Sequence, residues 1–341
     1  MRNQSVRLSS ALVLLLGFHG QTQAAPLDLK HVPANAKWLA HVDVDALRSS
    51  TVVQKMWKKT LETHKEAEAH LGMVTALLGM DLRSDLYGMT FFGNEIGKHT
   101  GTLIVHAKMD QKRLMGMAQA VPGQSTKKYG DYDVFSFVHK HHNRSQNVAG
   151  TFFKTDRLIL SSSVEELQSA LDVLGGKSGS VAEGAPLAGR VPPGTTVLFR
   201  IAGVAAADLP CKCDVAKKID SFRLVMGEDH DQSFFRTRTV TTDAEVTNQL
   251  RAVIEGGRAM ALLHCGDDPA GKKLVNPLTV KVEDKTLTVL WKAPADDVWD
   301  MIEKQVKILQ EMHARHRAAH HRHGEAPKGP ARKTTPPEED F

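Results

Sequence analysis

The chain has 341 residues, with 44 Lys+Arg against 39 Asp+Glu for a formal charge of +5. A hydrophobic content of 41% and a charged content of 24% exclude a disordered or polytopic chain, and three cysteines exclude a disulfide-stapled scaffold. Aromatics at 6% argue against a stacking platform for single-stranded nucleic acid.

The first segment, residues 1–24, reads as a cleavable secretory signal. Arg2 and Arg7 form a positive start, residues 11–18 (ALVLLLGF) an apolar core, and Thr22-Gln23-Ala24 offers small residues for cleavage after Ala24. The apolar run is well short of the roughly 20 residues needed to span a bilayer. Removing the two arginines lowers the charge from +5 to +3, too mild to indicate a nucleic-acid partner. The mature chain is expected to be exported, periplasmic or extracellular, with no transmembrane segment.

The body reads as two related modules, residues 25–175 and 191–312, joined by a Gly/Ser/Ala-rich linker at 176–190. Val32-Pro33 precedes a predicted strand at 38–44, followed by a long helical stretch at 45–78 with Asp45 as its N-cap. Strands at 86–92 and 102–107 and a helix at 110–120 come next. A hairpin then pairs 127–129 with 133–139 across Gly130-Asp131. Residues 147–162 form a second hairpin around Thr155-Asp156-Arg157, and a helix over 164–174 closes the module. In the second module Val191-Pro192 precedes a strand at 197–201, and strands at 219–226 and 233–241 flank a charged turn at 227–231. Asp243 caps a helix reaching about Leu263, residues 276–291 repeat the hairpin, and a last helix starts at Ala295. The predicted class is α+β: mostly antiparallel sheet with helices packed on one face, a C-terminal helix, and a disordered tail.

Residues 32–50 (VPANAKWLAHVDVDALRSS) resemble the start of uncharacterised exported proteins of planctomycete-type bacteria, which share a Val-Pro-x-x-Ala turn and a strand ending in Asp-hydrophobic-Asp. The resemblance implies export and α+β architecture; it implies no activity and transfers no catalytic residue. The second module departs from the pattern, with Ala202-Gly203-Val204-Ala205 in place of the acidic pair.

The tail, residues 313–341, is His-rich and then Pro-rich. His313, His316, His320 and His323 are spaced +3, +4 and +3, which on a continuous helix places them on one face, where imidazoles can chelate zinc, copper or nickel. The interleaved Arg315, Arg317 and Arg322 offer weak, salt-sensitive contact with an anionic surface instead. A second group, His139, His141 and His142, falls at a hairpin tip and reads as a polar turn. In an oxidising compartment Cys265 is expected to pair with Cys211 or Cys213, because a bond between residues two apart is strained. Asp43 and Asp45 suggest a carboxylate pair, but the capping role of Asp45 accounts for it. Gly176-Lys177-Ser178 lacks the upstream glycine and strand of a phosphate loop.

No catalytic or cofactor-binding residue stands out. Three functional readings remain: a non-catalytic envelope protein that binds a partner or ligand, a metal-handling protein using the His-rich helix, and an enzyme whose motif is unrecognised.

Overall fold

The computed structural model describes residues 26–97, 100–141, 144–182, 184–207 and 214–324, without the side chains of 140, 141, 144 and 313–324. The predicted signal segment, Cys211, Cys213, the 142–143 hairpin tip and residues 325–341 therefore lie outside the described residues.

The first half contains β1 (Trp38–Asp43), α1 (Val44–Ser49), α2 (Thr51–Thr63), α3 (Glu66–Leu78), β2 (Leu86–Gly93), β3 (Thr102–Ala107) and α4 (Gln111–Gln119). It continues with β4 (Ser125–Tyr129), β5 (Tyr132–His141), β6 (Arg144–Phe153), β7 (Arg157–Ser161) and α5 (Val164–Leu174). The second half contains β8 (Thr195–Ala202), β9 (Ile219–Asp229), β10 (Gln232–Thr241), α6 (Ala244–Cys265), α7 (Pro269–Val275), β11 (Thr279–Glu283), β12 (Thr286–Pro294) and α8 (Ala295–Gly324). The class is α+β, as expected.

All twelve strands join one sheet in the order β11-β12-β10-β9-β8-β1-β2-β3-β7-β6-β5-β4, and every pairing is antiparallel. The halves meet where β1 pairs with β8, Leu39 opposite Arg200 and Ala40 opposite Phe199. Outward from that junction each half runs through its strands in the same relative order, the first adding β5 and β4 at its edge.

Alternate residues of the same strands supply two buried clusters. Leu39 and Ile104 join one, with Leu167 and Leu171 of α5; Val42 and Val105 line the other, with Val44, Val53 and Met80. A strand turns successive side chains to opposite faces, so the two clusters lie on opposite sides of the sheet. The stretch 176–190 is packed into the first cluster: Val181 and Leu187 are buried, and Val181 N–H donates to Val32 O at 2.9 Å.

The predicted helix at 45–78 is three helices. β1 ends at Asp43, and Asp43, not Asp45, is the N-cap, its carboxylate accepting from Ala46 N–H at 2.9 Å. Ser50 breaks the helix in an extended conformation and caps α2 through Val53 N–H. Between β8 and β9 the described residues hold a short 3-10 turn, Ala216–Lys218. Residues up to Trp299 form one unit and Asp300 onward another. α8 is helical through Gly324. No helix among the described residues is long and apolar enough to cross a membrane.

Candidate functional site

Three consecutive strands of the second half each carry a Phe-Arg dipeptide: Phe199-Arg200 in β8, Phe222-Arg223 in β9 and Phe235-Arg236 in β10, the last followed by Arg238. Strand alternation sends the two members of each dipeptide to opposite faces. On one face the Phe199 and Phe222 rings lie 6.3 Å apart, and Phe235 stacks on Trp291 at 5.4 Å. On the other face, Arg200 lies opposite Arg223 and Arg223 opposite Arg238, a cationic ladder three strands wide. Arg236 sits beside it, opposite Val225.

These side chains line a cleft of about 200 Å³ together with Arg190, Pro192 and Val225. Exposure rises along the ladder. Arg200 is 2% exposed, Arg223 is half-buried, and Arg238, Arg236 and Arg190 are open to solvent. The inner arginines hold the chain segment that precedes the cleft. Arg200 donates to Leu187 O at 2.7 Å and to Gly189 O at 3.0 Å, and Arg223 donates to Pro186 O at 2.8 Å. Gly189 has φ +142°, a backbone conformation that disfavours other residues, and a Cβ there would stand 2.9 Å from the mobile end of Arg223, at Nη1. The entry to β8 is similarly tight: Gly194 has φ +68°, and a Cβ there would fall 2.0 Å from the carbonyl oxygen of Glu228.

Carbonyls satisfy the buried N–H groups but bring no formal negative charge. Among the described residues, no carboxylate lines the cleft or bonds to its five arginines. Burial, followed by the proximity of Arg223, pushes Arg200 down to about 10. Burial, followed by Arg238, lowers Arg223 as well. Like charges directly opposite on neighbouring strands destabilise a sheet, so the ladder is an unneutralised cationic site with forked donors suited to oxyanions. Its lining offers guanidinium, proline and valine only, a set that binds rather than supplies a nucleophile or base.

The residues singled out from the sequence fall elsewhere. Asp45 pairs with Arg48, 5% and 9% exposed, and Arg48 also donates to Leu86 O and to Leu82 O (3.2 Å), which ties α1 to the start of β2. Burial raises the Asp43 and Asp45 carboxyls, and Arg48 acts against it at both. These carboxylates are structural, one a cap and the other half of a buried ion pair. Cys265 is half-buried at the end of α6, while Cys211 and Cys213 lie outside the described residues. The positions of His313, His316, His320 and His323 are on the helical backbone of α8, and their side chains lie outside the description. His139 is on β5, opposite Gln146. Sequence reading missed the arginine ladder, although the recurrent Phe-Arg dipeptide in three predicted strands was its signal.

The fold and cleft together define an α+β protein with a cationic, ligand-sized site. No family model matches the chain, and no curated protein does. Among solved structures it is distantly similar to TP0453, a Treponema protein. Crystal form III gives a TM-score of 0.43 at 8% identity, covering 82% of this chain and 99% of that one. Crystal form I gives 0.42 at 10% identity, with 82% and 98% covered.

Proposed function

We propose that this is an exported, non-catalytic binding protein of the cell envelope that takes an anionic ligand in the arginine-lined cleft. The observation that carries the reading is the ladder Arg200–Arg223–Arg238, aligned across three strands with no carboxylate to neutralise it among the described residues. A buried cation with only carbonyl partners costs stability. The fold holds one such group, Arg200, beside the half-buried Arg223, and an incoming anion would offset part of the cost. The N-terminal sequence, with Arg2, Arg7 and the apolar run at 11–18, supports export.

The test is calorimetric titration of the purified chain with small oxyanions at low and moderate salt. Binding that weakens as salt rises, and that falls about tenfold or more in Arg238→Gln, is the expected result. Binding unchanged by Arg236→Gln and Arg238→Gln together would place the anion elsewhere and overturn the reading.

A further inference from the structure

We propose that the group recognised in this cleft is a doubly charged phosphoryl group, carried by an organic phosphate monoester, in preference to a carboxylate. The inference rests on the anion-binding reading above and names the ligand class.

The first argument is the number and origin of the donors. Arg190 comes from the segment before β8, Arg223 from β9, and Arg236 and Arg238 from β10, with Arg200 behind them. One guanidinium fork satisfies a planar carboxylate through two parallel hydrogen bonds. A tetrahedral phosphoryl group presents three terminal oxygens in different directions and suits forks arriving from several elements. Neighbouring strands stand about 4.8 Å apart, so Arg223 and Arg238, direct partners in the ladder, start close enough for both forks to reach one phosphoryl group.

The second argument is charge. Three solvent-open arginines and one half-buried arginine surround the cleft without an acidic partner among the described residues. A monocarboxylate offsets one of these charges. A phosphate monoester carries about −1.5 to −2 at neutral pH and offsets nearly twice as much for the same footprint.

The third argument is room. The cleft, at about 200 Å³, exceeds what a phosphoryl group alone fills, and Pro192 and Val225 give it apolar wall. That wall suits the carbon skeleton bearing the phosphate. The same chemistry is presented by a soluble metabolite-sized ester and by the headgroup of a phosphomonoester lipid, and the experiment separates the two.

The purified chain is titrated with glycerol 3-phosphate, glycerate and sulfate at pH 5 and pH 7.5, and in parallel mixed with phosphatidylcholine vesicles with and without phosphatidic acid. Glycerol 3-phosphate is expected to bind at least tenfold more tightly than glycerate at pH 7.5. Its affinity should fall several-fold at pH 5, because the second phosphate ionisation lies near 6 while the arginines stay charged. Sulfate affinity should stay flat over that range. Arg236→Gln and Arg238→Gln, at exposed positions, should each lower phosphate-ester affinity about tenfold or more without lowering the melting temperature. Binding confined to phosphatidic-acid vesicles, and lost in the same variants, supports the phosphoryl class with a lipid as its source. Glycerate binding as tightly as glycerol 3-phosphate, with both lost in the variants, overturns the phosphoryl preference and leaves the anion site standing. Failure of every anion and vesicle overturns both.

Discussion

Replacing Glu228 should reveal how strongly the second half of the sheet stabilises a helix of the first. Glu228 lies on β9, and its carboxylate reaches the N-terminus of α2. One oxygen accepts from Thr51 N–H at 2.7 Å; the other accepts from Ser50 Oγ–H at 2.8 Å and Val52 N–H at 3.3 Å. These are donors that no helix can satisfy from within itself. Hydrogen bonds to a charged group contribute about 1.5–3 kcal/mol, and a carboxylate at a helix N-terminus adds about 0.3–1 kcal/mol. Glu228 is half-buried, and Ser50 retains its own bond to Val53 N–H at 3.3 Å, so the lower part of the range applies. Glu228→Ala should therefore cost about 2 kcal/mol. Glu228→Gln, which keeps one acceptor and loses the charge, should cost about half as much. In a unit of this size 2 kcal/mol lowers the melting temperature by roughly 3–4 °C. Urea unfolding followed by far-UV circular dichroism reads the change directly. A shift below about 0.5 kcal/mol in Glu228→Ala would mean that water replaces the carboxylate at no cost, and the reasoning would fail. A loss in Glu228→Gln equal to that in Glu228→Ala would show that charge, not the acceptor geometry, carries the effect.

Arg200→Met should destabilise by about 2 kcal/mol or more, because the carbonyls of Leu187 and Gly189 lose their donors in a buried site. Faster amide hydrogen exchange confined to residues 181–190 would confirm it, and unaltered exchange there would count against Arg200 holding the segment before the cleft. Asp43→Asn keeps an acceptor for Ala46 N–H and removes a carboxylate whose ionisation burial opposes. A carboxyl raised above its unfolded 3.8 stabilises the fold fully below that pH, and the contribution is lost as pH rises through the folded value. The Asn variant should therefore be at least as stable as the parent at pH 7 and lose any advantage below pH 3.8, as urea midpoints at the two pH values will show. Ending the chain at Gln310 removes His313, His316, His320 and His323, and retention on immobilised nickel, zinc or copper should disappear with them. Retention that survives truncation would assign metal affinity to the body. A reporter enzyme active only outside the cytoplasm, fused after Ala24, should be active if residues 1–24 direct export; an inactive, cell-associated fusion would refute that address.

Local patterns made most elements legible. The hairpin at 147–162 and the strand-turn-strand at 276–291 were readable from alternation around an acidic turn, and both form with the expected partners. The capping residue Asp243 stands one position before its helix and accepts its third N–H. The helix over 45–78 was less readable, because apolar spacing alone does not show where a chain turns. Ser50 breaks it by capping α2 beside Glu228, a residue 178 positions away. Asp45 was equally misleading as a cap, since its role depends on Arg48 being buried beside it, which only the packing of α1 on β2 decides.

The cleft illustrates the harder limit. Each Phe-Arg dipeptide is unremarkable within its own strand, where alternation of an apolar and a long charged residue is what any half-buried strand shows. The site arises from register. Had β9 paired one residue further along β10, Arg223 would lie opposite an intervening threonine with its side chain on the other face, and the ladder would be gone. That register is set between β8, β9 and β10, while β8 is held on its other side by β1 of the first half. The arginines therefore belong to the second half in sequence but depend on the whole sheet for their alignment. A substitution at the β1–β8 junction, such as Leu39→Ala opposite Arg200, should weaken anion binding without changing a residue that lines the cleft, in proportion to how far it loosens β8.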